Sequence, residues 1–304
     1  MKRIAFVLSL CLLLSLLALA FADVPFAGLS FPEDAEYIDL ASVTVTDFDA
    51  FEVFLDRFPN LTRVDMWATP MTASRCDRLA SRYPAVQWGW TMEIRSKDHT
   101  HVIRTDDTSF STLHNNKSAG HTTEDFRLLK YCWNLMALDI GHNRVDSLDW
   151  LSAFPNLRVL IVACNRISDI SPLASLKHLE YAELFKNEIR DITPLRGLDH
   201  LMDLNLCFNR IEDLSVLKEL PSLKRLWMFS CSRFNKEPPR EIVSELQELH
   251  PDLVLDTRHY PTNGRWRWLA EGKPDPHYKV IQQIFGSDHE HPQHQYIPFD
   301  DSAP

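Results

Sequence analysis

Residues 157–178 read LRVLIVACNRISDISPLASLKH, and residues 179–200 read LEYAELFKNEIRDITPLRGLDH. Laid over each other without a gap, they match at Leu157 and Leu179, Asn165 and Asn187, Ile167 and Ile189, Asp169 and Asp191, Pro172 and Pro194, and Leu173 and Leu195. The same 22-residue register runs outward in both directions. It joins Asn143, Asn165, Asn187 and Asn209; Leu135, Leu157, Leu179, Leu201 and Leu223; and Leu138, Leu160, Ala182, Leu204 and Leu226. Ile140, Val162, Leu184, Leu206 and Met228 keep it, as do Val145, Ile167, Ile189 and Ile211, and at the fifth turn Cys231 takes the asparagine slot. A period of this length marks a stacked repeat, in which no single unit has a core of its own.

The unit is L-x-x-L-x-L-x-x-N-x-I followed by x-D-I/L-S/T-P-L-x-x-L. Alternate residues at positions 4 and 6 point inward from a short strand, while positions 3 and 5 point outward. Each strand is expected to pair in parallel with the next. The asparagine falls where the chain bends inward, and its amide can both donate to and accept from backbone groups that the bend leaves unpaired. Ser171-Pro172, Thr193-Pro194 and Ser215-Val216 suit an N-cap followed by the first residue of a short 3-10 turn. Asp169, Asp191 and Asp213 recur beside them and read as turn formers, with calcium ligation as the alternative.

These residues resemble the 22-residue class of leucine-rich repeat found in internalin-like bacterial surface proteins. The resemblance implies an α/β fold: a curved solenoid with a parallel concave sheet and short helices or 3-10 turns on its convex side. More of the chain, namely Val102 to Leu113, the repeats from Leu135 to Leu226, and Trp266 to Phe285, is similar to secreted leucine-rich repeat proteins of Gram-positive anaerobes. That similarity implies an architecture and brings no activity with it.

A junction motif extends the array. Phe58-Pro59-Asn60-Leu61, Phe154-Pro155-Asn156-Leu157, Leu220-Pro221-Ser222-Leu223 and His250-Pro251-Asp252-Leu253 each set a proline two residues before a strand leucine, and Tyr83-Pro84-Ala85-Val86 is a looser copy. Residues 23–94 therefore read as longer leucine-rich coils, with strands near Ile38–Leu40, Val64–Met66 and Trp88–Met92. Phe48, Phe51, Phe54, Leu55 and Phe58 mark one helix behind a Thr46-x-x-Asp49 cap; Cys76, Leu79 and Tyr83 mark another. Residues 95–130 read as a hairpin or atypical connecting coil, 131–236 as the regular repeats, and 237–260 as a C-terminal cap around Ile242, Val243, Leu246 and Leu249. A single solenoid of about nine coils is expected, its two halves joined by that hairpin or atypical coil. Residues 261–304 form an aromatic extension, expected to fold back onto the cap, followed by a disordered tail from Ser287.

Residues 1–22 carry Met1-Lys2-Arg3, an apolar run from Ile4 to Leu19 and Ala20-Phe21-Ala22, the pattern of a secretory signal peptide cleaved before Asp23. An uncleaved anchor is the alternative. No second apolar run long enough for a spanning helix follows, and no LPxTG-type sorting motif occurs, so release from the cell is the simpler expectation. The charge of −10 becomes −12 without Lys2 and Arg3, which argues against nucleic acid as partner. Glycine is scarce, 8 in 304, and nowhere spaced as G-x-G-x-x-G or G-x-S-x-G, which argues against nucleotide loops and nucleophile elbows. Outside the leader the cysteines are Cys76, Cys132, Cys164, Cys207 and Cys231, an odd set without C-x-x-C spacing, expected to be buried thiols.

The outward positions nominate a site. Tyr181, Glu183, Phe185, Asp203, Phe208, Arg225, Trp227 and Phe229 cluster toward the C-terminal half as aromatics with a charged rim, the composition of protein-recognition hot spots. The competing reading is that the tail bearing Trp266 and Trp268 folds over them. If the patch is exposed, alanine at Trp227 and Tyr181 should abolish partner capture without affecting thermal unfolding. Asn143, Asn165, Asn187, Asn209 and Cys231 form the structural ladder. No cofactor and no metal site are expected; His289, His291 and His294 lack fixed spacing. His142 beside Cys164 is the nearest approach to a nucleophile and base, with no third group to orient it. The expectation is a secreted, monomeric, non-enzymatic protein that binds a protein partner through the concave face; carbohydrate or cell-wall glycan binding through the same aromatics is the alternative.

Overall fold

The computed structural model describes residues 23–96, 99–112, 120–232, 237–258, 266–267, 273, 275–285 and 295–299. The leader, Trp268, His289, His291 and His294 lie outside them. The chain divides into two compact units, residues 1–91 and 92–304.

In the first unit, β1 (Asp23–Phe26) and β2 (Leu29–Pro32) form an antiparallel hairpin. Strand β3 (Tyr37–Asp39) pairs in parallel with β4 (Arg63–Met71), Ile38 opposite Val64. The longer coils here hold true helices, α1 (Phe48–Leu55) and α2 (Ala73–Arg82). Asp47, not Thr46, caps α1 by accepting the Ala50 N–H at 2.9 Å, and Thr72 caps α2. Phe51, Phe54 and Phe58 face inward, where Phe26 of the hairpin stacks on Phe54 with ring centroids 4.6 Å apart. Strand β5 (Gln87–Arg95) completes this part; a Cβ at Gly89 would stand 2.3 Å from Asp65 Oδ1, so that position is closed to any side chain.

In the second unit, β6 (Thr100–Arg104) follows β5. Then β7 (Ser109–Ser111), β8 (Ala137–Asp139), β9 (Val159–Ile161), β10 (Tyr181–Glu183), β11 (Asp203–Asn205), β12 (Arg225–Trp227) and β13 (Val254–Asp256) make a seven-stranded parallel sheet in chain order. Leu138, Leu160, Ala182, Leu204 and Leu226 lie opposite one another across it, as the 22-residue register requires. This unit is a curved α/β leucine-rich repeat solenoid. The parallel ladder of this unit runs from β7 to β13.

Short 3-10 turns occupy Thr123–Tyr131, Asp149–Ala153, Ser171–Ser175, Thr193–Leu195 and Ser215–Glu219. In the last three the start is fixed by aspartate and not by the Ser/Thr hydroxyl: Asp169, Asp191 and Asp213 each accept the N–H two residues on, at 2.8 Å. Hydrogen bonds from Thr193 and Ser215 hold the Asp191 and Asp213 carboxyls below the usual carboxylate range.

The asparagine ladder works through one repeated geometry. Asn187 Oδ1 accepts the Ile167 N–H of the preceding coil at 3.1 Å, and its Nδ2 donates to the Val162 and Leu184 carbonyls at 3.0 and 3.1 Å. Asn165 and Asn209 repeat it, and Asn143 differs only in donating to Thr112 Oγ1. Cys231 cannot accept in this way. There the Ile211 N–H turns to the Cys231 main-chain carbonyl at 2.9 Å.

The residue before each ladder position is left-handed: His142, Cys164, Lys186, Phe208 and Ser230 have φ between 51° and 58°. None is glycine or asparagine, so each bears a steric cost of about 1 kcal/mol. Lys186 is solvent-exposed, and Lys186→Gly is expected to stabilise the unit by about 1 kcal/mol in urea titration. An unchanged or lowered midpoint would contradict that turn.

Helix α3 (Arg240–Leu249) precedes β13 and lays Leu246 inward, with Lys218 Nζ 2.8 Å from Glu245 Oε2 beside the last 3-10 turn. The five cysteines of the described residues are thiols.

Candidate functional site

A strand with one solvated face should alternate buried and exposed residues. Strands β7 to β12 do not: all their residues are buried, on both faces. Inward residues fill the solenoid. The outward ones, Ala137, Val159, Ile161, Tyr181 and Trp227, form a second core with Trp266 and with Tyr278, Ile281, Ile284 and Phe285 of helix α4 (Pro276–Phe285). Phe299 adds to it, stacked on Tyr181 at 6.1 Å and 10°. The C-terminal segment thus lies along the concave face.

This corrects three expectations. The aromatic extension does not fold onto the cap; Trp266 packs on Tyr181 and Trp227, at 5.5 and 5.1 Å between ring centroids. Part of the tail expected to be disordered is placed: the Tyr296 N–H donates to Thr108 Oγ1 at 2.6 Å, and its hydroxyl to Glu180 Oε2 at 3.0 Å. The nominated patch is not exposed either. Tyr181, Glu183, Phe185, Asp203, Arg225 and Trp227 are each 5% exposed or less, and Phe208 and Phe229 are half-buried. Alanine at Tyr181 or Trp227 would therefore open a cavity in a core and lower stability, typically by 3–5 kcal/mol for a large aromatic, contrary to unchanged unfolding.

Arg225 is the hub of the polar part. Its Nη1 lies 3.3 Å from Asp203 Oδ2 and 2.9 Å from Asp275 Oδ1, and its Nη2 donates to the Trp266 carbonyl. The guanidinium stands 4.7 Å from the Trp266 ring centroid and 5.4 Å from that of Trp227, within cation–π reach of both indoles, which pack edge to face on each other. Arg267 reaches Glu183 Oε1 at 3.5 Å and lies over the Tyr278 ring. Asp275 accepts the N–H of His277, starting α4.

His277 Nδ1 sits 2.8 Å from Asp203 Oδ2. Burial pulls this imidazole's pKa down, but the hydrogen bond and charge of Asp203 outweigh it, and the net shift is upward despite Arg225 nearby. A pKa raised on folding stabilises fully below the unfolded value, about 6.5, and that contribution is lost as pH climbs through the raised value. The margin in Tm of wild type over His277→Gln is expected to shrink from about pH 6.5 upward. A margin that stays flat or widens contradicts the assignment.

Burial, with Glu183 and Asp203 beside it, pushes the Tyr181 hydroxyl well above its ordinary pKa. Several polar atoms in this core lack a hydrogen-bond partner among the described residues: Tyr181 Oη, Glu183 Oε2, Asp203 Oδ1, Asn205 Nδ2 and the indole nitrogens of Trp227 and Trp266. The cysteine and histidine on adjacent coils are poorly poised for nucleophilic chemistry. Burial raises the Cys164 thiol and lowers the His142 imidazole, the reverse of what a thiolate–imidazolium pair needs. Among the described residues no three His, Cys, Asp or Glu side chains are grouped to hold a metal ion.

Open clefts are lined by described residues in both units. One, about 560 Å³, lies in the first unit between Phe48, Ser74, Arg75 and Arg78, but Arg75 covers the Phe48 ring and Arg78 is paired with Asp49 and Glu52. Another, about 210 Å³, lies at the margin of the covered face between Glu180, His200, Lys224 and Phe299.

The covering segment is poorly legible in sequence, though a signal exists. Tyr278, Ile281, Ile284 and Phe285 give α4 one apolar stripe, and Ala137, Val159 and Ile161 are apolar at positions that an open face would leave polar.

This geometry defines a leucine-rich repeat solenoid whose concave face is covered by its own chain. Residues 133–175 match the family described as leucine rich repeats (2 copies). Among solved structures, the crystal structure of an internalin C2 from Listeria monocytogenes is similar at 24% identity and a TM-score of 0.40, over 49% of this chain and 69% of that one. Another internalin of that organism is similar at 16% identity and a TM-score of 0.38, over 76% of this chain and 85% of that one. No curated protein matches the chain. Among the described residues, no helix is long and apolar enough to cross a membrane.

Proposed function

We propose that this is a secreted, non-enzymatic recognition protein that binds a protein partner through the concave face of its second unit, in a form from which the C-terminal segment has lifted. Leucine-rich repeat solenoids present extended concave surfaces for such contacts. The observation that carries the reading is the chemistry of the covered face. A second core serving stability alone would be apolar, since well-packed hydrophobic residues usually match or exceed a buried ion pair. Here Glu183, Asp203 and Arg225 occupy outward positions among Tyr181 and Trp227, all buried. The leader-like sequence of residues 1–22 supports export.

The test is crosslinking of the full-length protein in its native surroundings, comparing wild type with Trp266→Ala, which loosens the covering segment without altering the solenoid strands. The same partner should be captured more strongly by Trp266→Ala, and the gain should vanish when Asp203→Asn is added. Equal capture by all three forms would place recognition elsewhere or deny it. Selective binding to a glycan array by Trp266→Ala, with no protein captured, would move the ligand to carbohydrate.

A further inference from the structure

We infer that the partner contacts the concave face through a segment that places an arginine or lysine directly after an aromatic residue, the chemistry this chain itself supplies with Trp266-Arg267. The inference rests on the function proposed above and specifies its partner.

The outward positions of the parallel sheet carry Asp139, Glu183, Asp203 and Asp256, against the single cation Arg225. An acidic segment would be repelled there, and an aliphatic one would leave Glu183 buried without a cation. An aromatic–cation pair answers both needs. Arg225 reads the first residue twice, by its main-chain carbonyl and by its ring face, while Glu183 reads the second by charge.

The chain's own segment is an incomplete answer. Glu183 is 3% exposed, yet Arg267 reaches only Oε1, at 3.5 Å, and Oε2 has no partner among the described residues. Asp203, 1% exposed, likewise has Oδ1 without one. A guanidinium seated bidentately on Glu183 would satisfy both carboxylate oxygens and gain a charge-assisted hydrogen bond. The orphaned oxygens therefore mark the internal segment as a replaceable ligand, and they state what a better one brings.

The test uses full-length Arg267→Glu protein, in which the internal contact is repelled by Glu183, and a fluorescent synthetic peptide with the sequence of residues 264–285. Controls are the same peptide carrying Arg267→Glu and a scramble of equal composition. The native peptide is expected to bind about tenfold or more tightly than either control, the scale of one charged hydrogen bond. Glu183→Gln in the protein should erase the preference over the Arg267→Glu peptide. A random dodecapeptide display selection on the same protein should enrich aromatic residues followed by Arg or Lys. Equal binding of the three peptides, no binding, or enrichment of acidic or aliphatic sequences would overturn the inference. Strap-dependent capture of a partner could still stand in that event; conversely, peptide discrimination without any captured partner would overturn the functional reading and leave the chemistry of the face intact.

Discussion

Asn187→Ala is expected to lower the stability of the second unit by about 1–3 kcal/mol, because the buried Ile167 N–H loses its acceptor. The Asn187 side chain accepts from Ile167 N and donates to the Val162 and Leu184 carbonyls; those carbonyls also accept from Asn165 and Asn209 Nδ2, so the Ile167 N–H is the group left without a partner. One orphaned N–H costs about 1–3 kcal/mol in a dry interior. In a stacked array the damage spreads to the neighbouring coils, since each unit is stable only against the next. Urea titration followed by far-ultraviolet circular dichroism reads it. A loss under about 1 kcal/mol, the ordinary cost of a surface change, would contradict the ladder. The coil of Cys231 shows the one substitution the architecture accommodates: there the backbone itself supplies the acceptor for Ile211.

Arg225→Ala is expected to act differently. Removing one member of a buried ionic cluster usually costs 3–5 kcal/mol because the remaining charges stay buried and uncompensated. Here Asp203 and Asp275 would face each other across the vacated guanidinium, with the Trp266 carbonyl also losing its donor. Asp275 and Trp266 belong to the covering segment, whereas Asp203 belongs to the sheet. The cheapest relief is therefore for the segment to lift, returning the carboxylates to water while the solenoid stays folded. Limited proteolysis should cut the variant within residues 275–285 under conditions that spare wild type there, with the repeats resistant in both. Arg225→Lys should give much of the same effect, because an ammonium lacks the planar fork that spans two carboxylates and the flat face that lies within reach of two indoles. Proteolysis of the repeats in step with the segment would contradict the division of roles.

The repeat was legible because its signals are local and redundant. Leu157, Leu160, Val162, Asn165 and Ile167 specify a strand, its inward face and its bend within eleven residues, and the next coil repeats them. The short turns are legible in place but not in their chemistry: a Ser or Thr before proline suits an N-cap, yet the carboxylate two residues upstream is the stronger acceptor and takes the N–H. The site was half legible. Period-2 alternation placed Tyr181, Glu183, Asp203, Arg225 and Trp227 together on the concave side, where they are. Alternation says nothing about what lies over a face, and contacts such as Glu183 with Arg267 join residues too far apart in sequence for any periodic pattern to reveal. Asp275 and Phe299 belong to the site through such long-range packing alone.

The central claim, that the C-terminal segment seals the concave face of a folded solenoid, is tested most directly by peptide-resolved alkylation of cysteines in the native full-length protein. Cys207 lies fully buried in the second core, while Cys76 and Cys231 are as deeply buried elsewhere in the fold. In wild type all three should react slowly; in Trp266→Ala combined with Arg267→Glu, Cys207 should become many times faster while Cys76 and Cys231 stay protected. Wild-type Cys207 reacting as fast as in the variant, or the three thiols accelerating together, would contradict it.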